Sequence, residues 1–385
     1  MSYISRTLDI SLPAGQSAFL WGPRKTGKST YLKKRFPDSL VYDFLKTDLR
    51  FEFIKRPSLL REELLSQSDT VLKEPIILDE VQKVPQILDE VHWLIENKGL
   101  SFIMCGSSAR KLKKSHANLL GGRAWRFELF PFTSHEIGTV DLLRCLNHGM
   151  IPVHYLQNNY KRSLKGYVND YLKEEVFDEA LTRDVPAFSR FFEAVGYTHG
   201  QLVNYSNIAR DCGVTAKTVK EYYNILVDTL VGILIKPFKK REGRQIIIKA
   251  PRFYFFDVGT AGILTQREIL ETRGELFGRA FEHFILMELL AHRSYTEKDY
   301  PIRFWRTKSG LEVDFVLGDG DIAVEVKGTE RAGSKDLTGL NAFIEEYSPE
   351  KAITVTCERA RRVSGKIDVI PWRLFLDELW SGHII

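Results

Sequence analysis

Nine consecutive residues, Gly22-Pro23-Arg24-Lys25-Thr26-Gly27-Lys28-Ser29-Thr30, have types and spacing suited to holding phosphate. Gly22 and Gly27 let a backbone wrap an anion with its N–H groups, Lys28 reaches outer phosphate oxygens, and the Ser29 hydroxyl suits Mg²⁺. About fifty residues on, the apolar run Pro75-Ile76-Ile77-Leu78 ends in Asp79-Glu80. Asp79 is placed to hold Mg²⁺ through water, and Glu80 to polarise an attacking water, because phosphoryl transfer asks a protein mainly for positioning and charge. A strand running into an acidic helix start would give the same dipeptide, but the preceding phosphate loop favours the chemical reading. The pattern predicts a bound nucleoside triphosphate.

These residues need a strand before the loop, a helix after it, and neighbouring strands that end on the same side. Ala18 to Trp21 is apolar and Tyr31 to Phe36 reads as a basic helix, so the loop has the expected setting. Ser101 to Cys105 forms another apolar run ending at Gly106-Ser107-Ser108, where Ser107 can sense the γ-phosphate. Gly121-Gly122-Arg123 precedes a further strand, Trp125 to Phe130. Arg123 is a candidate finger for a neighbouring subunit's nucleotide, since a guanidinium stays ionised and stabilises transition-state charge. Arg110 and Arg126 compete for that role, and a solvated loop arginine is the plainer account of Arg123.

Together GPRKTGKS, IILDE, the serine after the fourth strand and the GGR before the fifth resemble an AAA+-type ATPase domain. More narrowly, Gly22 to Thr30 and Leu78-Asp79-Glu80-Val81-Gln82 resemble the openings and strand ends of prokaryotic AAA-type ATPases that carry a C-terminal restriction-endonuclease-like domain. The resemblance covers nearly the whole chain and implies ATP with Mg²⁺, a P-loop parallel-sheet domain, and a homo-oligomer if Arg123 acts in trans.

A second constellation lies in the last third. A helix over Glu275 to Leu290 is followed by strands at Ile302 to Trp305, Glu312 to Leu317 and Ile322 to Lys327, then a helix (Lys335 to Tyr347) and a strand (Ala352 to Thr356). Glu325 and Lys327 share a strand face, and Asp314 lies on the preceding strand. Asp314 and Glu325 suit Mg²⁺ or Mn²⁺, Lys327 suits a water or developing phosphorane charge, and Glu282 adds a third carboxylate. This order and these residues look like the restriction-endonuclease-like nucleases, with Val313 where a proline often precedes the aspartate. A Glu/Lys pair on a solvated strand would be the blander account, and such domains also survive as non-cleaving binding platforms.

Between the two, Tyr205 to Val219 reads as a helix-turn-helix, with Ala209 for close packing, Gly213 for the turn, Thr215 as a cap, and Val219, Tyr222, Tyr223 and Leu226 as an apolar stripe. Leu230 to Ile235 follows as a strand, and the basic stretch Lys236, Lys239, Lys240, Arg241, Arg244, Lys249, Arg252 as a wing. A winged helix would present Lys217, Thr218 and Lys220 to a major groove and the wing's cations to phosphates. Winged helices attached to AAA+ modules also serve as protein contacts. A second basic cluster is Arg359, Arg361, Arg362 and Lys366. The stretch 130–200 has helical patterns such as Tyr167 to Leu181 but no chemical motif, and His135, His148, His154 and His199 lack metal-ligand spacing.

A chain of 385 residues with 44% apolar content exceeds one ordinary core. The expected α/β architecture is a P-loop ATPase domain over 1–135, a helical lid or connector over 136–200, a winged helix over 201–252, and a restriction-endonuclease-like domain over 253–385. Net charge +5 permits a nucleic-acid partner without establishing one. No stretch reaches the ~20 apolar residues of a membrane span, and the N-terminus lacks a secretory pattern, so a cytoplasmic protein without membrane contact is expected. Cys105, Cys145, Cys212 and Cys357 are scattered, as reduced thiols would be. Three functions are consistent with these residues: an ATP-driven enzyme acting on DNA with a Mg²⁺-dependent nuclease domain, a nucleotide switch binding DNA or protein without cutting, and an ATP-dependent protein remodeller.

Overall fold

A computed structural model describes residues 3–108, 110, 120–172, 185–239 and 250–385. The basic residues Lys240, Arg241, Arg244 and Lys249, and most of the helical pattern expected over Tyr167 to Leu181, lie outside the described residues. The chain divides into two compact units, one built from Ser5–Pro131 with Asp228–Val231, the other chiefly from Phe132–Val227 and Gly232–Ile385.

The first unit is built on five strands: β1 (Ser17–Trp21), β2 (Val41–Asp43), β3 (Ile76–Asp79), β4 (Phe102–Gly106) and β5 (Ala124–Glu128). They run in the order β2-β3-β4-β1-β5, every neighbouring pair parallel. A parallel sheet is covered on both faces, which is why β1, β3 and β4 read as unbroken apolar runs and are buried throughout. Helices α1 (Lys28–Arg35) and α2 (Ile87–Lys98) flank this sheet in sequence. Phe19, Leu78, Met104 and the α2 side chains Ile87, Val91 and Leu94 share one core. The strand order puts the carboxyl ends of β1, β3 and β4 side by side, where an open α/β sheet binds its ligand.

The second unit contains a mixed eight-stranded sheet, order β12-β13-β11-β10-β9-β8-β6-β7. Its strands are β6 (Gly232–Pro237), β7 (Arg252–Phe255), β8 (Ile302–Arg306), β9 (Glu312–Leu317), β10 (Ile322–Lys327), β11 (Lys351–Thr356), β12 (Arg362–Ser364) and β13 (Ile367–Pro371). Ahead of it come α3 (Val185–Tyr197), α4 (Tyr205–Cys212) and α5 (Ala216–Asp228). Asn204 caps α4 through Asn207 N–H, Gly213 closes it at φ 70°, and Thr215 Oγ1 accepts from Thr218 N–H at the start of α5. The long α6 (Gly274–Tyr295), then α7 (Thr338–Tyr347) and α8 (Trp372–Trp380), complete the unit. β6 and β7 pair antiparallel, and Leu202 bridges to Arg252 on the far side of β7, so the strands after α5 join the same sheet as β8 to β13.

Among the described residues no helix is long and apolar enough to cross a membrane. The four cysteines are free thiols, three of them buried and Cys357 partly exposed.

Candidate functional sites

The phosphate loop leaves the carboxyl end of β1 and enters α1. Gly27 takes φ 94° at the helix start, a left-handed conformation that disfavours a side chain, and Lys25 takes φ 64°. Gly22 is required for a different reason: a Cβ there would lie 2.6 Å from the Leu129 carbonyl oxygen. Thr26 is buried and its Oγ1 donates to Pro23 O at 2.8 Å. Arg6 donates to Thr26 O at 2.7 Å and to Phe130 O at 2.5 Å, tying the loop to the chain after β5. Lys28 folds back over its own loop, Nζ donating to Gly22 O at 2.7 Å and Pro23 O at 3.1 Å. Lys25, Ser29 and Thr30 are exposed, Pro23 and Arg24 half-buried.

Opposite the loop, β3 delivers its carboxylates. Ser29 Oγ donates to Asp79 Oδ2 at 2.6 Å, so the two groups suited to Mg²⁺ already meet. The other oxygen, Asp79 Oδ1, accepts from the Cys105 thiol at 2.7 Å, and burial together with Asp79 pushes that thiol's pKa up, keeping it a donor. Glu80 sits at φ 57°, a left-handed conformation unusual for a glutamate and typical of strained functional positions. Its Oε2 accepts from Gln82 Nε2 at 2.6 Å and from Ser107 Oγ at 3.4 Å, while Gln82 Nε2 also reaches Ser107 Oγ at 3.1 Å. Gly106 is small because Gln82 Oε1 lies where its Cβ would be, 2.2 Å away. Gly22 to Thr30, Asp79, Glu80 and Ser107 therefore gather at one end of one sheet. The hydroxyl and carboxylate donors there fit Mg²⁺, and the helix start fits a phosphate.

Arg123 does not join them. Its carbonyl accepts from Ser17 N–H, at the start of β1, so it lies at the opposite end of the strands from the loop of its own chain. Its guanidinium pairs with Glu96 on the exposed surface. Arg110 pairs with Asp228 at 3.2 Å.

The C-terminal constellation also assembles. Register Phe315↔Val324 between β9 and β10 brings Asp314 beside Glu325, whose Oε2 accepts from Asp314 N–H at 3.2 Å. Asp314 Oδ2 accepts from Val326 N–H at 2.9 Å, and Lys327 Nζ lies 2.6 Å from Glu325 Oε1. Glu282 on α6 accepts from Tyr254 OH at 2.5 Å. Burial is the first cause raising the pKa of Asp314, Glu325 and Glu282, the last to about 7 with Asp314 adding to it.

One sequence expectation is corrected here. Arg252, read as the end of a basic wing facing phosphates, is 5% exposed, its guanidinium 3.4 Å from Glu282, 2.8 Å from Glu312 and 3.6 Å from Asp314. The signal was in the chain: Arg252 and Tyr254 alternate with Phe253 and Phe255 in a strand, so they share a face, and a buried face needs partners for both. Arg361 is likewise paired, with Asp368 and Glu378, and Arg362 with Glu358, while Arg359 and Lys366 remain exposed. Among the described residues no three His, Cys, Asp or Glu side chains are arranged to hold a metal ion. Lys217 and Lys220 are exposed on α5, Thr218 half-buried, with Val219, Tyr222, Tyr223 and Leu226 turned into the core.

Residues 15–138 match a family described as AAA domain. Residues 140–269 and 277–375 match two described as domains of unknown function, DUF8612 and DUF4143. The uncharacterized protein Rv2008c of Mycobacterium tuberculosis is 24% identical over 309 residues, 77% of this chain and 66% of its own, and Mb2031c of Mycobacterium bovis gives the same figures. The uncharacterized protein MJ1544 of Methanocaldococcus jannaschii is 21% identical over 418 residues, 96% of this chain and 90% of its own. This chain thus spans just under two thirds of the length of its mycobacterial relatives. The AAA match and the parallel five-stranded sheet support an AAA-type ATPase region, which implies ATP and Mg²⁺.

Proposed function

We propose that the protein is an ATP-hydrolysing switch that acts on DNA and binds it without cutting. The observation carrying the ATPase half is the 2.6 Å Ser29–Asp79 hydrogen bond with Glu80 next in the chain. When bound, Mg²⁺·ATP supplies the phosphoryl group and neutralises its charge. Lys28 would bind phosphate oxygens, Ser29 and Asp79 would hold the cation, and Glu80 would orient the attacking water. Ser107, bonded to Glu80 directly and through Gln82, would report the γ-phosphate.

DNA as the partner is supported by exposed Lys217 and Lys220 near the start of α5 and by the β6–β7 pair that follows, the order of a winged helix. Arg123, distant from its own loop, fits service to a neighbouring copy in a homo-oligomer. A binding rather than cleaving C-terminal domain is favoured because Glu282, Asp314 and Glu325 already face cationic side chains. The nuclease reading rests on Asp314, Glu325 and Lys327 standing together.

Wild type and Asp314→Asn, incubated with single-stranded, duplex and supercoiled DNA, Mg²⁺ or Mn²⁺, with and without ATP, should both shift DNA and leave no new ends. New ends made by wild type alone would establish the nuclease instead. ATP turnover with no DNA retention would shift the reading to a protein remodeller.

A further inference from the structure

We propose that the Arg252 guanidinium is the resident cation of the C-terminal carboxylate cluster, standing where a nuclease-like site would take a divalent metal. The inference deepens the reading of this domain as nuclease-like and does not depend on DNA being the partner.

The guanidinium reaches carboxylates from two layers of the domain. Glu282 comes from α6, and Glu312 and Asp314 from β9, at 3.4, 2.8 and 3.6 Å. Phe304 closes one face, its ring centroid 4.8 Å from Arg252 Cζ, a stacking position that suits a planar cation. Tyr254, two residues along the same strand, donates to the same Glu282 oxygen. Nη1 and Nη2 of Arg252 therefore both face carboxylates, an arrangement that suits a flat fork rather than a sphere with six ligands.

Other oxygens of the cluster are committed as well. Asp314 Oδ2 takes Val326 N–H, Glu325 takes Asp314 N–H and Lys327, and Glu312 Oε2 takes Arg306 at 3.0 Å in addition to Arg252. Arg252, Arg306 and Lys327 thus oppose Glu282, Glu312, Asp314 and Glu325. Three fixed positive charges against four carboxylates leave at most one uncompensated charge, so a divalent ion would have to expel a buried cation to enter. A guanidinium keeps its proton and has no position at which to activate a water. The cluster therefore pins α6 to β7 and β9 and supplies a metal-independent, preorganised polar floor.

Full-length, nucleotide-free protein is titrated with Mn²⁺ and the free ion read by electron paramagnetic resonance. Wild type and Asp314→Asn should bind the same amount of Mn²⁺, because the cluster contributes no site. Arg252→Ala should gain one Mn²⁺ per chain, with affinity at least ~10-fold above any background site. The added site should vanish in Arg252→Ala/Asp314→Asn, and Mn²⁺ should raise the melting temperature of Arg252→Ala alone. Wild type binding a Mn²⁺ that Asp314→Asn loses would overturn the proposal. A folded Arg252→Ala that gains none would overturn it too. If Arg252→Ala does not fold, the wild-type and Asp314→Asn comparison decides it. No DNA enters this readout, so its failure is distinguishable from failure of the DNA reading.

Discussion

Gln82 is the residue on which the ATPase account turns most finely. It is buried, and its Nε2 holds Glu80 Oε2 at 2.6 Å while touching Ser107 Oγ at 3.1 Å. Glu80 pays for its left-handed backbone with about 1–3 kcal/mol of strain, and Gln82 is what fixes the carboxylate once that backbone is set. Gln82→Ala should lower kcat for ATP by about 100-fold while KM changes little, since misplacing a catalytic group by about an ångström costs that much and no phosphate contact is lost. A KM rise with unchanged kcat would mean that Gln82 serves binding instead. The motif spacing made Lys28, Ser29, Asp79 and Glu80 legible in the sequence because phosphate chemistry restricts residue types along a short stretch. Cys105 and Arg6 were not legible: each acts across 20 or more positions of chain, through a contact that no local pattern encodes.

At the scale of elements, α6 and β7 are joined by a buried histidine pair as well as by Arg252. His283 Nε2 lies 2.7 Å from Phe255 O and is therefore the donor, while His199 Nδ1 accepts from Phe255 N–H at 3.3 Å. Burial pushes His283 down to about 3, and burial followed by His283 pushes His199 well below its usual range. Both are neutral when folded, and the unfolded chain takes up two protons as pH falls below about 6.5. Stability from this pair is thus complete above that pH and is lost on acidification, by up to about 1.4 kcal/mol per pH unit for each histidine. Between pH 7.5 and 5.5 the unfolding midpoint of wild type should fall relative to that of His283→Gln, whose amide can still donate to Phe255 O; parallel pH profiles would contradict the assignment. Alternation and capping made α4, α5, α6 and β8 to β11 readable, with bounds shifted by a few residues. The joining of β6 and β7 to that sheet was not readable, because strand order depends on register between distant segments. Strands β12 and β13 and helix α8 are further elements that the residue pattern alone did not bring out.

The whole molecule carries a nucleotide site in one compact unit, and exposed cations and a cation-filled carboxylate cluster in the other. Arg123, at the wrong end of its own sheet, makes assembly testable: mixing Arg123→Ala with an excess of Glu80→Gln should restore turnover at most of the Arg123→Ala sites if the finger crosses between copies, and should restore none if it does not. The most direct measurement of the central claim is steady-state ATP hydrolysis by wild type and Glu80→Gln, each with and without duplex DNA. The account predicts Mg²⁺-dependent turnover by wild type that DNA changes, and ATP binding without turnover by Glu80→Gln. Equal hydrolysis by the two proteins, or a wild-type rate that no DNA alters, would contradict it.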